Sequence, residues 1–209
     1  MICFNTLGTA TVYGEGINSS PAPEVMEEWT CNDGKMLQLK INKVNTVAIR
    51  NMLPTDWQSV KTIYESGIAT GVATFETSAP NWEIWNRGHL QFSRFVATIE
   101  NEIVGWTALS PVSSRCVYGG IAEISVYVSE THRGKGVGKI LLNNLITNSE
   151  QNGIWTLQAG IFTENIASVK LHESVGFRVI GHREKIGKLK NKWKDNFILE
   201  RRSKLIGLD

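Results

Sequence analysis

The sequence predicts an α/β protein built on a mixed sheet, and three observations carry that reading. Short runs of β-branched and aromatic residues recur along the chain, as strands require. Between several of them, apolar residues fall three and four positions apart, as in helices that cover a sheet. Some strand runs are joined by a tight hairpin and others through a helix, so antiparallel and parallel pairing are both expected.

Residues 1–43 read as an N-terminal extension to which the sequence gives no role. Within it, Gly14 to Pro23 is rich in turn formers and reads as loop, while Leu37, Leu39 and Ile41 alternate with Gln38 and Lys40 like a short strand. The main domain spans 44–209 and opens with a strand, Val44 to Arg50. Pro54 and Thr55 start a helix, with Thr55 and Gln58 spaced as a capping box and Val60, Ile63 and Tyr64 on its apolar face. Gly67 to Pro80 holds too much Gly and Thr for a long helix and reads as a loop or broken helix able to line a pocket. Trp82, Trp85 and His89 recur at helical spacing on a short second helix, and Trp82, Trp85 and Trp106 suit core packing better than pocket walls. Phe95 to Ile99 and Ile103 to Leu109 flank Glu100-Asn101-Glu102 as a hairpin, which Pro111 ends.

After a loop from Ser113 to Gly120 comes the central strand, Glu123 to Val128. Arg133 to Gly138 is a glycine-rich turn. Val137, Ile140, Leu141 and Leu145 then give a helix its apolar stripe, up to a stop near Gly153. Trp155, Leu157, Ala159 and Ile161 alternate as a strand. Asn165 caps a helix over Ile166 to Val175, and Gly176 ends it. Phe177 to Gly181 and Phe197 to Leu199 are the last two strands, joined through a lysine-rich hairpin.

The 209 residues suit one domain with an extra segment, or at most two small domains. A net charge of +2 with dispersed basic residues argues against nucleic-acid binding, which needs a concentrated basic face. Lys185, Lys188, Lys190, Lys192 and Lys194 cluster, but with Glu184 and Asp195 beside them they read as a solvated hairpin. The cysteines are Cys3, Cys31 and Cys116, an odd set without CxxC spacing. Neither a disulfide framework nor a metal site is expected, which fits a reducing cytoplasm. The chain does not open like a secretory signal, and no run approaches roughly 18 apolar residues, so no membrane span is expected.

The stretch with chemistry is Glu123 to Gly138, EISVYVSETHRGKGVG. A strand feeding a glycine turn and a helix can hold a phosphate: glycines let the backbone approach, and free N–H groups at the helix start point at the anion. Arg133 and Lys135 add positive charge. The glycines at 134, 136 and 138 are spaced GxGxG, so the dinucleotide fingerprint GxGxxG fails, and no GxxxxGK[ST] string occurs.

What does fit is Arg-x-x-Gly-x-Gly, filled by Arg133, Gly136 and Gly138. It resembles the pyrophosphate loop of the GNAT superfamily of N-acetyltransferases. A second segment, NIASVKLHESVGF from Asn165 to Phe177, resembles that superfamily's Asn-x-Ala-x-x-x-Leu-Tyr-x-x-x-Gly-Phe. Within the superfamily, three segments resemble phosphinothricin and methionine sulfoximine acetyltransferases: Ala122 to Gly138, Ala159 to Phe177, and Gly187 to Arg201. That group carries His in place of the usual Tyr, here His172. The resemblance covers about Val44 to Arg201. It implies a GNAT fold, a mixed and mostly antiparallel twisted sheet flanked by helices, with acetyl-CoA as co-substrate and no metal.

The resemblance also implies roles. Glu123 is the general base that takes the proton of the attacking amine, and desolvation against an apolar strand would suit it to that work. The backbone of Val126, Tyr127 and Val128 pairs with the pantetheine arm, and the Val126 N–H polarises the thioester oxygen. Arg133, Gly134, Lys135, Gly136, Val137 and Gly138 hold the pyrophosphate, and Asn165 bonds the pantetheine or caps its helix. His172 is either a proton donor to the leaving thiolate or a structural residue. Phe75, Glu76, Thr77 and Tyr118 are expected to line the amino-acid pocket, with Arg87, Arg94 or Arg115 for a substrate carboxylate. The activity implied is acetylation of a small amino acid such as phosphinothricin or methionine sulfoximine. Acetylation of a protein or peptide N-terminus and a non-catalytic CoA-sensing module are the alternatives, and a homodimer is one expected assembly.

Overall fold

The computed structural model describes residues 2–4, 10–12, 27–28, 40–41 and 46–208. The chain divides into two units, 1–46 and 47–209. In the first, β1 (Ile2–Phe4) pairs antiparallel with β2 (Ala10–Val12), and β3 (Glu27–Glu28) with β4 (Lys40–Ile41). Of the strand expected around Leu37 to Ile41, Lys40–Ile41 is β4 and the rest lies outside the described residues, as does the expected loop at Gly14 to Pro23.

The second unit runs β5 (Ala48–Asn51), α1 (Trp57–Ala69), α2 (Trp82–Gly88), β6 (Phe95–Ile99), β7 (Glu102–Pro111), β8 (Ile121–Val128), α3 (Val137–Gln151), β9 (Thr156–Phe162), α4 (Ile166–Glu173), β10 (Arg178–Leu189) and β11 (Lys192–Arg202). This is the expected order of strands and helices. The seven strands lie in the order β10-β11-β9-β8-β7-β6-β5, and every neighbouring pair is antiparallel except β8 with β9.

The residue alternation of a strand sends the two faces of the sheet to different helices. Leu109, Ala122 and Ile124 pack with Leu142, Leu145, Leu157 and Phe177 beneath α3 and α4. Trp106 and Ala108 pack with Val60, Ile63, Trp85 and Val96 beneath α1 and α2. Trp85 and Trp106 are 2% and 1% exposed, so these tryptophans are core, as expected. The odd-numbered side chains of β8, including Glu123 and Tyr127, therefore share the α1/α2 face.

Two local expectations change. The capping box at Thr55 and Gln58 is replaced by Asp56: a 3-10 turn over Pro54–Asp56 precedes α1, and the Asp56 carboxylate accepts from the Leu53 N–H (2.7 Å) and from both terminal nitrogens of Arg50 (2.6 and 2.8 Å). The last two strands are far longer than expected, because β10 and β11 continue through the lysine-rich segment to a turn at Lys190 and Asn191. Both turn residues have positive φ, 48° and 63°, the backbone that a tight hairpin requires.

The hydrogen-bonded Arg50 guanidinium holds the Asp56 carboxyl below the usual carboxylate range. A carboxyl with a depressed folded-state pKa stabilises the fold above its unfolded pKa and loses that contribution as the pH falls. Asp56→Asn is expected to cost about 1–3 kcal/mol in urea unfolding at neutral pH. The two proteins should converge below about pH 4. Equal stability at pH 7 would contradict this role for Asp56.

Candidate active site

β8 and β9 are adjacent for only part of their length. Their parallel register runs from Ile121↔Thr156 to Glu123↔Gln158 and stops there. Each continues on its other edge, β8 with β7 as far as Val128 and β9 with β11 as far as Phe162. The sheet is thus split between β8 and β9 beyond Glu123.

The phase of the β7–β8 ladder decides which backbone groups face the split. The Ser129 N–H donates to the Val104 carbonyl (2.8 Å). Alternation along an antiparallel pair then turns the backbone of Glu123, Ser125 and Tyr127 toward β7, and that of Ile124, Val126 and Val128 toward β9. Of the three residues expected to pair with pantetheine, Val126 and Val128 aim their N–H and C=O groups into the split. The Val128 carbonyl accepts a long bond from Arg133 Nε, 3.4 Å. Tyr127 spends its backbone on β7, and its ring stacks on Trp106 at 4.8 Å beside Tyr64, where burial raises the phenol above its ordinary range.

At the end of β8 the chain makes the glycine turn. Gly134 and Gly136 take φ of +74° and +82°, which β-carbon-bearing residues avoid. Gly136 is the N-cap of α3 and supplies no side-chain cap. The first intrahelical bond runs from the Ile140 N–H to the Gly136 carbonyl, so the amides of Val137, Gly138 and Lys139 are the orphan donors of this helix. Arg133, Lys135 and Lys139 are exposed around them. The side chain of Val137 is buried in the core, leaving only its backbone for a ligand.

Glu123 stands where β8 and β9 begin to part. Its expected desolvation is not found: the side chain is exposed, because the neighbouring strand has moved away from the space above it. Register places Gln158, Gly160 and Phe162 of β9 and Asn196 of β11 on the same face. A Cβ at Gly160 would lie 3.5 Å from Glu123 Oε1 and 3.2 Å from Asn196 Nδ2, so the glycine keeps the floor between these groups open. Sequence reading did not single out Gly160, Phe162 or Asn196; only strand register brings them to Glu123.

The pocket residues divide. Phe75 packs edge-on against Phe162, with centroids 4.6 Å apart, and lies over Gly187 of β10. Glu76 and Thr77 line a separate cavity of about 270 Å³ with Ile68, Ala69, Leu189 and Lys190; Glu123 is not part of its wall. Tyr118 is exposed in the turn before β8, with the Arg115 guanidinium 5.5 Å over its ring. Arg94 is committed elsewhere: its donors go to Leu90, Asn86 and His89 and its guanidinium covers Trp85, so it is not free for a carboxylate. Arg87 is exposed in the last turn of α2.

Asn165 caps α4 by accepting from the Ser168 N–H (3.2 Å), and it donates to the Val72 carbonyl (3.2 Å), tying the loop after α1 to α4. His172 is 3% exposed against Phe177. Its Nδ1 must carry the proton, because it lies 2.7 Å from the Ser168 carbonyl, which can only accept. Nε2 of the neutral ring is then an acceptor. Burial holds the imidazole below its ordinary range, against the opposing effect of the Ser168 contact.

Comparison with known proteins bears on this arrangement. Residues 54–177 match the acetyltransferase (GNAT) family. The chain is 27% identical over 156 residues to an L-methionine sulfoximine/L-methionine sulfone acetyltransferase of Pseudomonas aeruginosa, covering 72% of this chain and 91% of that one. A phosphinothricin acetyltransferase from Sinorhizobium meliloti, solved in complex with acetyl-CoA, superposes with a TM-score of 0.68 at 29% identity, covering 75% and 88% of the two chains. A ribosomal-protein-alanine N-acetyltransferase from Brucella melitensis superposes with a TM-score of 0.70 at 28% identity, covering 75% and 98%.

Proposed function

Because the chain belongs to the acetyltransferase (GNAT) family, we propose that it transfers the acetyl group of acetyl-CoA to the amino group of a small amino acid or analogue resembling phosphinothricin or methionine sulfoximine. The observation that carries the choice of a small acceptor is the contact of Phe75 with Gly187. It draws the loop after α1 onto the β10–β11 hairpin and walls the space beside Phe162.

The split between β8 and β9 fits a pantetheine arm, since the N–H groups of Val126 and Val128 face it as an unpaired strand edge would. The turn from Arg133 to Gly138 fits a pyrophosphate: orphan amides at the start of α3 lie among exposed cations. When bound there, acetyl-CoA supplies an electrophilic thioester carbonyl. Glu123, directly or through a water, takes the proton that the amine must lose before its nitrogen bonds the acetyl carbon; the carbon–sulfur bond then breaks with its electron pair on sulfur, and the CoA thiolate leaves and takes its proton from solvent. The Val126 N–H stabilises charge on the carbonyl oxygen. We assign His172 to holding the turn of α4 against Phe177. With Nδ1–H given to Ser168, donation from Nε2 needs the doubly protonated ring, which burial opposes. A reducing cytoplasm suits the free, exposed Cys116. The exposed Val179, Ile180, Ile186 and Trp193 of the hairpin suit a homodimer contact.

The likeness to the ribosomal-protein-alanine enzyme favours a second reading, acetylation of a protein N-terminus. Release of CoA thiol across a panel of amines separates the two. The expected result is turnover with phosphinothricin, methionine sulfoximine or methionine sulfone and none with N-terminal peptides. Turnover with peptides alone would overturn the small-substrate reading, and acetyl-CoA binding without turnover of any amine would favour a sensing module.

A further inference from the structure

Asn196 is the polar residue beside Glu123 for which the fold has no use. It is 8% exposed, and its Oδ1 is buried with no hydrogen-bond partner. A buried carbonyl left so costs about 1–3 kcal/mol, a cost the sheet bears to keep an amide here, and the atom of that amide which faces the Glu123 side is the donor Nδ2. An apolar residue would serve the sheet better at this position if packing were its only task. Its Nδ2 stands over Gly160, at the point that Glu123 Oε1 approaches from the other side. A donor and a carboxylate acceptor thus face one hole, which any side chain at 160 would fill. Arg183, the register partner of Asn196 across β10–β11, adds a cation on the same face.

Resting on the proposed amino-acid acetylation, we infer that Asn196 contacts substrate and selects α-amino acids, its Nδ2 donating to the substrate carboxylate while Glu123 receives the amino group. In an α-amino acid the carboxylate carbon and the amino nitrogen share one carbon, so their partners must stand side by side. Glu123 and Asn196 do so across Gly160. A simple amine fills only the Glu123 half of this site. The arginines considered from sequence are then unnecessary for carboxylate binding, and Arg94 is in any case spent on the backbone around α2.

The test compares two acceptors, methionine sulfone and the amine obtained by removing its carboxylate, in the wild type and in Asn196→Leu, which has similar volume and no polar atom. The readout is the ratio of kcat/KM for the two acceptors in one preparation, which does not depend on the folded fraction. Wild type is expected to prefer the amino acid. Asn196→Leu is expected to lose about 10- to 100-fold of that preference, through KM for the amino acid, with KM for acetyl-CoA unchanged. Asn196→Asp, which sets a negative charge against the carboxylate, is expected to lose at least as much. An unchanged ratio in Asn196→Leu, with wild type active on the amino acid, overturns the inference and leaves the proposed reaction standing. Wild type inactive on every amino acid, yet active on peptides, overturns both.

Discussion

Glu123→Gln is expected to lower kcat with an amino-acid acceptor by about 10²- to 10⁴-fold, the usual share of a positioned general base. Glutamine keeps the length and shape of the side chain but cannot hold the proton of the amine. Glu123 is exposed at the mouth of the β8–β9 split and makes no ion pair among the described contacts, so the fold has little to lose. Surface changes of this kind stay within about 0.5 kcal/mol. KM for acetyl-CoA should not move, because the groups assigned to that ligand are backbone N–H groups farther along β8 and in the turn. Steady-state kinetics with both substrates varied, beside a thermal melt, checks all three statements. An unchanged kcat would remove Glu123 from the mechanism.

Gly136→Val is expected to strike the other substrate. At φ of +82° the N-cap of α3 sits where a β-branched side chain is strained. Such strain amounts to about 1–3 kcal/mol. Nothing stands within 4 Å of the position a Cβ would take, so the variant relieves strain by turning the backbone and not by pushing a neighbour. Turning it moves the amides that open the helix. If the whole strain appears in binding, KM for acetyl-CoA rises about 5- to 150-fold, while kcat at saturating acetyl-CoA stays near the wild-type value. A fall in kcat with KM unchanged would mean that the turn does something other than hold the co-substrate.

Local patterns made much of this readable in advance. Strand–glycine turn–helix is a contiguous signal, so residues 133 to 138 appear in sequence as they stand in the fold. The order of strands and helices follows from periodicity in the same way. The acceptor side is different. Asn196, Gly160 and Glu123 come from three strands, and their meeting depends on register, which no local pattern carries. The lysines of β10 and β11 hid two long strands, because charge on an edge hairpin resembles charge on a solvated loop. The exposure of Glu123 is hidden from local pattern for a related reason: its strand is apolar, but β9 pairs with it for only three residues and then departs. Asp56 outcompeted the capping pair spaced for the first helix because a single carboxylate there satisfies both Leu53 and Arg50.

The most direct measurement is to incubate the wild-type protein with acetyl-CoA and methionine sulfone and follow both products, free CoA thiol and the acetylated amino acid, by mass spectrometry. Transfer to an amino acid makes the two appear in equal amounts, with the acetyl group on the α-nitrogen. Thiol released without an acetylated amino acid, or acetyl-CoA left intact in the presence of this and every other small amino acid, would contradict it.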